Sequence, residues 1–217
     1  MYVVLGAKGF SILTFGNRFP DSGILTLMKT SVLFLVAVAA SAYQAHIQDL
    51  VPSTANRFAI ELEKTGLMRG KTHLFVFGKY RGRLEFNDQK PELSKVQFEI
   101  ESNSIQCLDT WVSDKDLVKI VRFALDDMLA TAKYPTISFV SNHVTAKTPT
   151  LFEVTGSLSI RGVAQNAILS VTKNADSYDG TAVVSMKDFG LKPPTAALGA
   201  IGTKELMKVT FHLVAVK

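Results

Sequence analysis

Four histidines, one cysteine and one lysine in a glycine-flanked loop are the residues of this 217-residue chain best placed to do chemistry. His46, His73, His143 and His212 form no H-x-H or H-E-x-x-H pattern, and none stands beside Cys107, so the local spacing of a metal centre is absent. "GLMRGKT", Gly66 to Thr72, has three residues between its glycines where a phosphate-binding loop requires four. A strand-like run follows it, whereas a phosphate cradle needs a helix N-terminus. It therefore reads as a turn. No serine lies in a G-x-S-x-G elbow. Asp114, Asp116, Asp126 and Asp127 fall at the cap or on the solvated side of a helical pattern. Cys107, between Gln106 and Leu108, has no partner for a disulfide and reads as a small buried hydrophobe. The sequence predicts no enzyme, no catalytic residue, no metal and no cofactor. A pair assembled from distant strands, such as His73 with Asp188, is what would revive a catalytic reading.

The elements that carry these residues are mostly strands. Phe58, Ile60 and Leu62 share one face of "NRFAIELEK"; Tyr80, Leu84 and Phe86 alternate with polar neighbours, as do Val96, Phe98 and Ile100. His73, Phe75 and Phe77 share a face opposite Leu74 and Val76. Ile137 and Phe139, then Phe152, Val154, Leu158 and Ile160, and finally Met207, Val209, Phe211 and Leu213 continue the pattern. Period-2 runs separated by "GRL", "NDQKPE", "SYDG" and "KPPTAALG" mark short antiparallel strands. One segment has helical spacing instead: Leu117, Ile120, Val121, Ala124 and Met128 predict an amphipathic helix over about 114–131, N-capped by Ser113. Leu74, Val76, Val140, Ile168 and Val214 put apolar residues on the second face of their strands. A lined barrel under a covering helix would use them, and so would strands simply hidden beneath the helix and loops.

"MKTSVLFLVAVAASAYQ", starting at Met28, has the parts of a secretory signal. Lys29 is followed by an apolar run and by Ala40-Ser41-Ala42, which predicts cleavage between Ala42 and Tyr43. Its apolar core is shorter than the roughly 20 residues a membrane-spanning helix needs. Residues 1–27 are expected to be an upstream mis-called start or an extended leader, 28–42 the signal, and 45–216 one domain. The leader holds three cations (Lys8, Arg18, Lys29) and one anion (Asp21), so the net charge of +5 falls to about +3 without it. That charge is evenly spread and forms no phosphate-tracking stripe, which argues against nucleic acid. With no cysteine at the cleavage junction, no stable membrane anchor is expected, and the protein should be periplasmic or secreted. The oligomeric state is left open, a dimer included.

Four ordered stretches carry a family resemblance: "KTHLFVFGKYRGRLEFNDQKPELSKVQFEIESNSI", "KYPTISFVSNHV", "FEVTGSLSIRGVAQNAILSV" and "KDFGL", the last followed by "KVTFHLVAV". Together they resemble the YceI-like family of exported, lipocalin-like, polyisoprenoid-binding proteins. The chain departs from many members at Met186-Lys187, where they have an arginine before "DFG". The resemblance implies an all-β, antiparallel eight-stranded lipocalin-like barrel with one helix. It also implies a long hydrophobic ligand, such as a polyprenyl chain, bound in the lumen for carriage or storage. Phe75, Phe77, Phe98, Phe139, Phe152, Val154, Leu158 and Phe211 are the lining candidates, although each apolar face fits ordinary core packing equally well. Arg161, Lys187 and Lys192 are head-group candidates that also fit as exposed solubilising residues. A stress-response or structural barrel with a filled lumen is the alternative, and a lipid-modifying enzyme a more distant one.

Overall fold

The computed structural model of the protein describes residues 45–52 and 57–214. The expected leader 1–27, the signal 28–42 and the Ala42–Tyr43 junction lie outside the described residues.

The described residues form twelve strands: β1 (His46–Leu50), β2 (Arg57–Gly66), β3 (Thr72–Phe77), β4 (Tyr80–Phe86), β5 (Lys95–Glu101), β6 (Ile105–Cys107), β7 (Thr136–Ala146), β8 (Leu151–Ile160), β9 (Val163–Lys173), β10 (Ser177–Ser185), β11 (Ile201–Thr203) and β12 (Leu206–Val214). Every pairing is antiparallel, in the order β1-β4-β5-β7-β8-β9-β10-β12-β2-β3-β6, with β11 joined to β2 off that path. The expected eight strands are therefore corrected to twelve. Much of the excess lies in β1, β6 and β11, which are too short to show a clear period of two. "GRL" and "SYDG", expected between strands, instead fall inside β4 and β10. "GLMRGKT" is the turn from β2 to β3, with Gly66 and Gly70 at positive φ.

No ladder joins the end strands β1 and β6, yet the sheet curls until its walls meet. Phe58 of β2 packs edge-on against Phe98 of β5 and Tyr80 of β4, with ring centroids 5.1 and 4.8 Å apart, across the width of the sheet. The inward parity is as the alternation predicts: Phe75 and Phe77 are buried while Leu74 and Val76 are half-buried, and Val140 and Ile168 face outward. The core divides along the lumen into two clusters. One surrounds Phe58, Phe98, Phe152 and Phe211; the other surrounds Phe75, Phe77, Met186, Phe189 and Met207.

One end of the second cluster is covered by α1 (Asp114–Phe123) and the π-turn Ala124–Met128 that extends it. Ser113 Oγ accepts the Asp116 amide at 3.2 Å, satisfying one of the free N–H groups of the first turn. Asp114 and Asp116 at this end and Arg122 at the other complement the helix dipole. No residue of α1 is fully buried, so the helix is a cover with one half-buried stripe. Among the described residues, no helix is long and apolar enough to cross a membrane.

Candidate functional site

The curled sheet is not packed solid. Three adjoining cavities follow one another inside it, of about 320, 100 and 60 Å³. Ile60, Phe77, Ile137, Ile160 and Met207 border both the first and second; Phe98, Phe139, Leu169 and Phe211 border both the second and third. The first cavity alone is in the size range of small-molecule sites. Its rim is formed by α1 and its extension (Ile120, Phe123, Met128) and by Pro194 to Ala196.

All eight lining candidates face this row of cavities. Phe75 and Phe77 line the first, Leu158 the second, and Phe152 and Val154 the third; Phe98, Phe139 and Phe211 stand between the second and third. The three head-group candidates are elsewhere. Arg161, at positive φ in the β8–β9 turn, donates from Nη1 to the Met128 carbonyl at 3.3 Å. Lys187 pairs with Glu205, whose carboxyl it holds below the usual range. Lys192 is exposed, and none of the three borders a cavity.

The buried polar groups that border the first cavity are Lys64, His73 and Thr203, while Lys119 and Thr195 border it from exposed positions. Sequence reasoning passed over Lys64, yet a signal was present: it continues Phe58, Ile60 and Leu62 at the same parity of one strand. Lys64 Nζ donates to Thr203 Oγ1 at 3.2 Å, across the β2–β11 pairing that sets these residues opposite each other. Burial pushes the Lys64 ammonium below its ordinary pKa, while the charge of Asp109 works in the opposite direction.

His73 is held by the β3–β6 register. Phe75 pairs with Cys107, and the ladder continues through the Leu108 amide to the Leu74 carbonyl at 2.8 Å, so His73 meets Asp109. Its Nδ1 lies against Asp109 Oδ2, while Oδ1 accepts the Leu74 amide at 2.8 Å. Trp111 stacks on the His73 ring and donates from Nε1 to the Thr72 carbonyl at 3.0 Å. The partner of His73 is thus Asp109 rather than Asp188. Donor atoms of His73, Cys107 and Asp109 lie within 4.8 Å of one another, a proximity that local spacing did not reveal. Both Asp109 oxygens are already engaged, and burial pushes the Cys107 thiol up to about 11. The cluster reads as a hydrogen-bond network that fixes the His73 ring in the cavity wall. The other described histidines are scattered: His46 lies near Asp88, His212 bonds Asp179 at 2.6 Å, and His143 follows a bulge in β7.

Residues 52–215 match the family model of the YceI-like domain. The chain belongs to the YceI-like family. UPF0312 proteins are among its relatives. That of Pseudomonas syringae pv. syringae is 30% identical over 133 residues, 55% of this chain and 66% of the relative. That of Azotobacter vinelandii is 29% identical over 131 residues, 54% of this chain and 65% of the relative. The chain thus matches just under two thirds of the length of each. Among solved structures, Burkholderia cenocepacia BcnA superposes with a TM-score of 0.60 at 20% identity, covering 74% of this chain and 96% of BcnA. A polyisoprenoid binding domain from Saccharophagus degradans implicated in plant cell wall breakdown gives 0.51 at 13% identity, covering 78% and 98%. At these identities the structural likeness establishes the fold. In this YceI-like domain the "KDFGL" stretch anchors the wall of the first cavity: Met186, Phe189 and Leu191 are buried around the turn, with Gly190 at positive φ.

Proposed function

We propose that the protein binds one long apolar chain of polyprenyl type inside its barrel and carries or stores it beyond the cytoplasmic membrane. The observation that carries this reading is the row of three adjoining cavities through the core, walled almost entirely by hydrocarbon side chains. Each buried methylene contributes about 0.8 kcal/mol, so such a lumen needs little beyond continuity to hold a chain. Family membership and the S. degradans polyisoprenoid binding domain support the ligand class. The signal-like stretch at Met28–Ala42 supports export. Binding is favoured over catalysis because the cysteine beside the buried histidine has its thiol pushed up to about 11, far from an activated nucleophile.

Native mass spectrometry of protein recovered from an exporting bacterial host tests the reading. A stoichiometric apolar adduct is expected, on a chain whose N-terminus is Tyr43. Protein that is ligand-free as isolated and takes up no polyprenyl alcohol from detergent would overturn it.

A further inference from the structure

Lys64 is 8% exposed, and its ammonium carries three N–H donors, of which Thr203 Oγ1 accepts one. Among the described residues it has no ion pair, and Asp109 acts on it only through space. The Asp109 carboxylate already meets His73 and the Leu74 amide. A buried ammonium without an adjacent anion is costly, and burial here works against the charge. Lys64 borders the first cavity together with Thr203 and His73.

We propose that Lys64 and Thr203 form the seat for the head group of the bound chain, and that this head group is a single carboxylate. The proposal rests on the apolar-chain reading and adds the chemistry of the chain's terminus. Every group that Lys64 still offers is a donor, so the complementary atom is an acceptor oxygen, and an anionic one restores what burial withholds. The count of charges argues for one negative charge. Among the described residues, the other lysine bordering the cavity, Lys119 on α1, is exposed and already bonded to Asp116 at 3.0 Å. A diphosphate would bring several negative charges to the single ammonium of Lys64. An alcohol would leave the ammonium uncompensated.

Three probes sharing the farnesyl chain separate these cases: farnesoic acid, farnesol and farnesyl diphosphate, with affinities measured in the full chain by displacement of a fluorescent apolar probe. Farnesoate should bind at least ~10-fold tighter than farnesol, the discrimination expected of one charge-assisted hydrogen bond. Lys64→Met, which keeps the side-chain volume, should bring that ratio close to one. Thr203→Val should lower it part-way. Lys204→Met, beside the seat in sequence but exposed and paired with Glu63, should leave it as it is. Thermal melts of each variant verify folding. Equal binding of farnesoate and farnesol by the parent protein would overturn the head-group proposal while leaving the apolar-chain reading standing. So would tightest binding of the diphosphate, or a preference that survives Lys64→Met in a folded protein. Failure of all three probes, and of longer polyprenyl alcohols, would remove the apolar-chain reading and this proposal together.

Discussion

The ring tip of Phe211 on β12 occupies the space above Gly180 on β10, its directly opposite partner; a Cβ at Gly180 would lie 1.9 Å from Phe211 Cζ. The device recurs. Gly82 faces Phe98 across β4–β5, where a Cβ would come within 2.5 Å of the ring. Gly156, opposite Ser141, also makes room for Phe139: a Cβ there would lie 2.6 Å from the ring and 2.4 Å from the Val140 carbonyl oxygen. Phe98, Phe139 and Phe211 are the three phenylalanines between the second and third cavities. Glycine on the neighbouring strand lets each ring settle towards the wall, which keeps large aromatic side chains in a lumen that retains open volume.

Gly180→Ala should therefore act through Phe211. The ring has to move off the wall and into the second cavity, an overpacking change of about 1–3 kcal/mol. A lowered denaturation midpoint with a shortened range of chain lengths bound is the expected pair of results. The double variant Gly180→Ala/Phe211→Leu should recover part of both. An unchanged midpoint in Gly180→Ala would mean that the ring does not rest there.

The parity of β8 gives a second test. Val154 is buried in the core cluster around Phe152 and Phe211, whereas Glu153 is half-buried and pairs with Lys147 at 3.1 Å on the other face. Val154→Lys puts an unpaired charge into a dry interior and should cost several kcal/mol, or prevent folding. Glu153→Lys removes one surface pair, worth at most about 1 kcal/mol. Chemical denaturation of the two variants measures the contrast, and similar midpoints would invert the register.

The covering role of α1 is also open to measurement. Ile120 faces the first cavity, while Val118 is 64% exposed on the outer side. Ile120→Asp should speed release of a bound fluorescent chain, because a carboxylate at that wall draws water into an apolar space. Val118→Asp should leave the release rate close to that of the parent. Stopped-flow dilution reads both rates.

Cys107 supplies a prediction in pH. Burial raises its thiol from 9.0 to about 11 in the folded chain. Well below pH 9 the thiol is protonated in both folded and unfolded states and makes no difference. As pH rises from 9 towards 11 the unfolded chain loses this proton first, so stability falls across that window. Cys107→Ala should flatten the alkaline side of the stability profile. Alkylation of the folded parent at pH 8 should be slow, because the half-buried thiol stays protonated.

The inward faces were legible in the sequence because a strand writes its burial as alternation, and each of Phe75, Phe77, Phe152 and Val154 keeps that parity. What was not legible came from pairing between distant strands. Lys64 and Thr203 are 139 residues apart, and His73 and Asp109 are 36 apart. Only the β2–β11 and β3–β6 registers bring them together. Gly82 and Gly180 misled for the same reason. In one dimension a glycine reads as a turn; its purpose here is visible only with the phenylalanine on the next strand. Arg161 and Lys187 stand beside recognisable motifs, whereas Lys64 stands at the end of an otherwise apolar row with no motif around it.

The row of cavities makes a final prediction about length. A chain with its terminus at Lys64 has the first cavity to fill, and must then pass Ile60, Phe77 and Met207 to enter the second. Affinity should therefore climb as isoprene units are added, by about 0.8 kcal/mol per methylene-sized group at most and less where ordering the chain offsets burial, and should level off once the lumen is full. Ile60→Trp places a bulky ring between the first and second cavities. It should move the plateau to shorter chains while the shortest, confined to the first cavity, bind as before. Val140→Trp, on the exposed outer face of β7, should leave the whole curve in place. Isothermal titration across a series of polyprenyl chains measures the plateau in each protein. A flat series in the parent, or a plateau that Ile60→Trp fails to move, would mean that the chain does not thread the lumen.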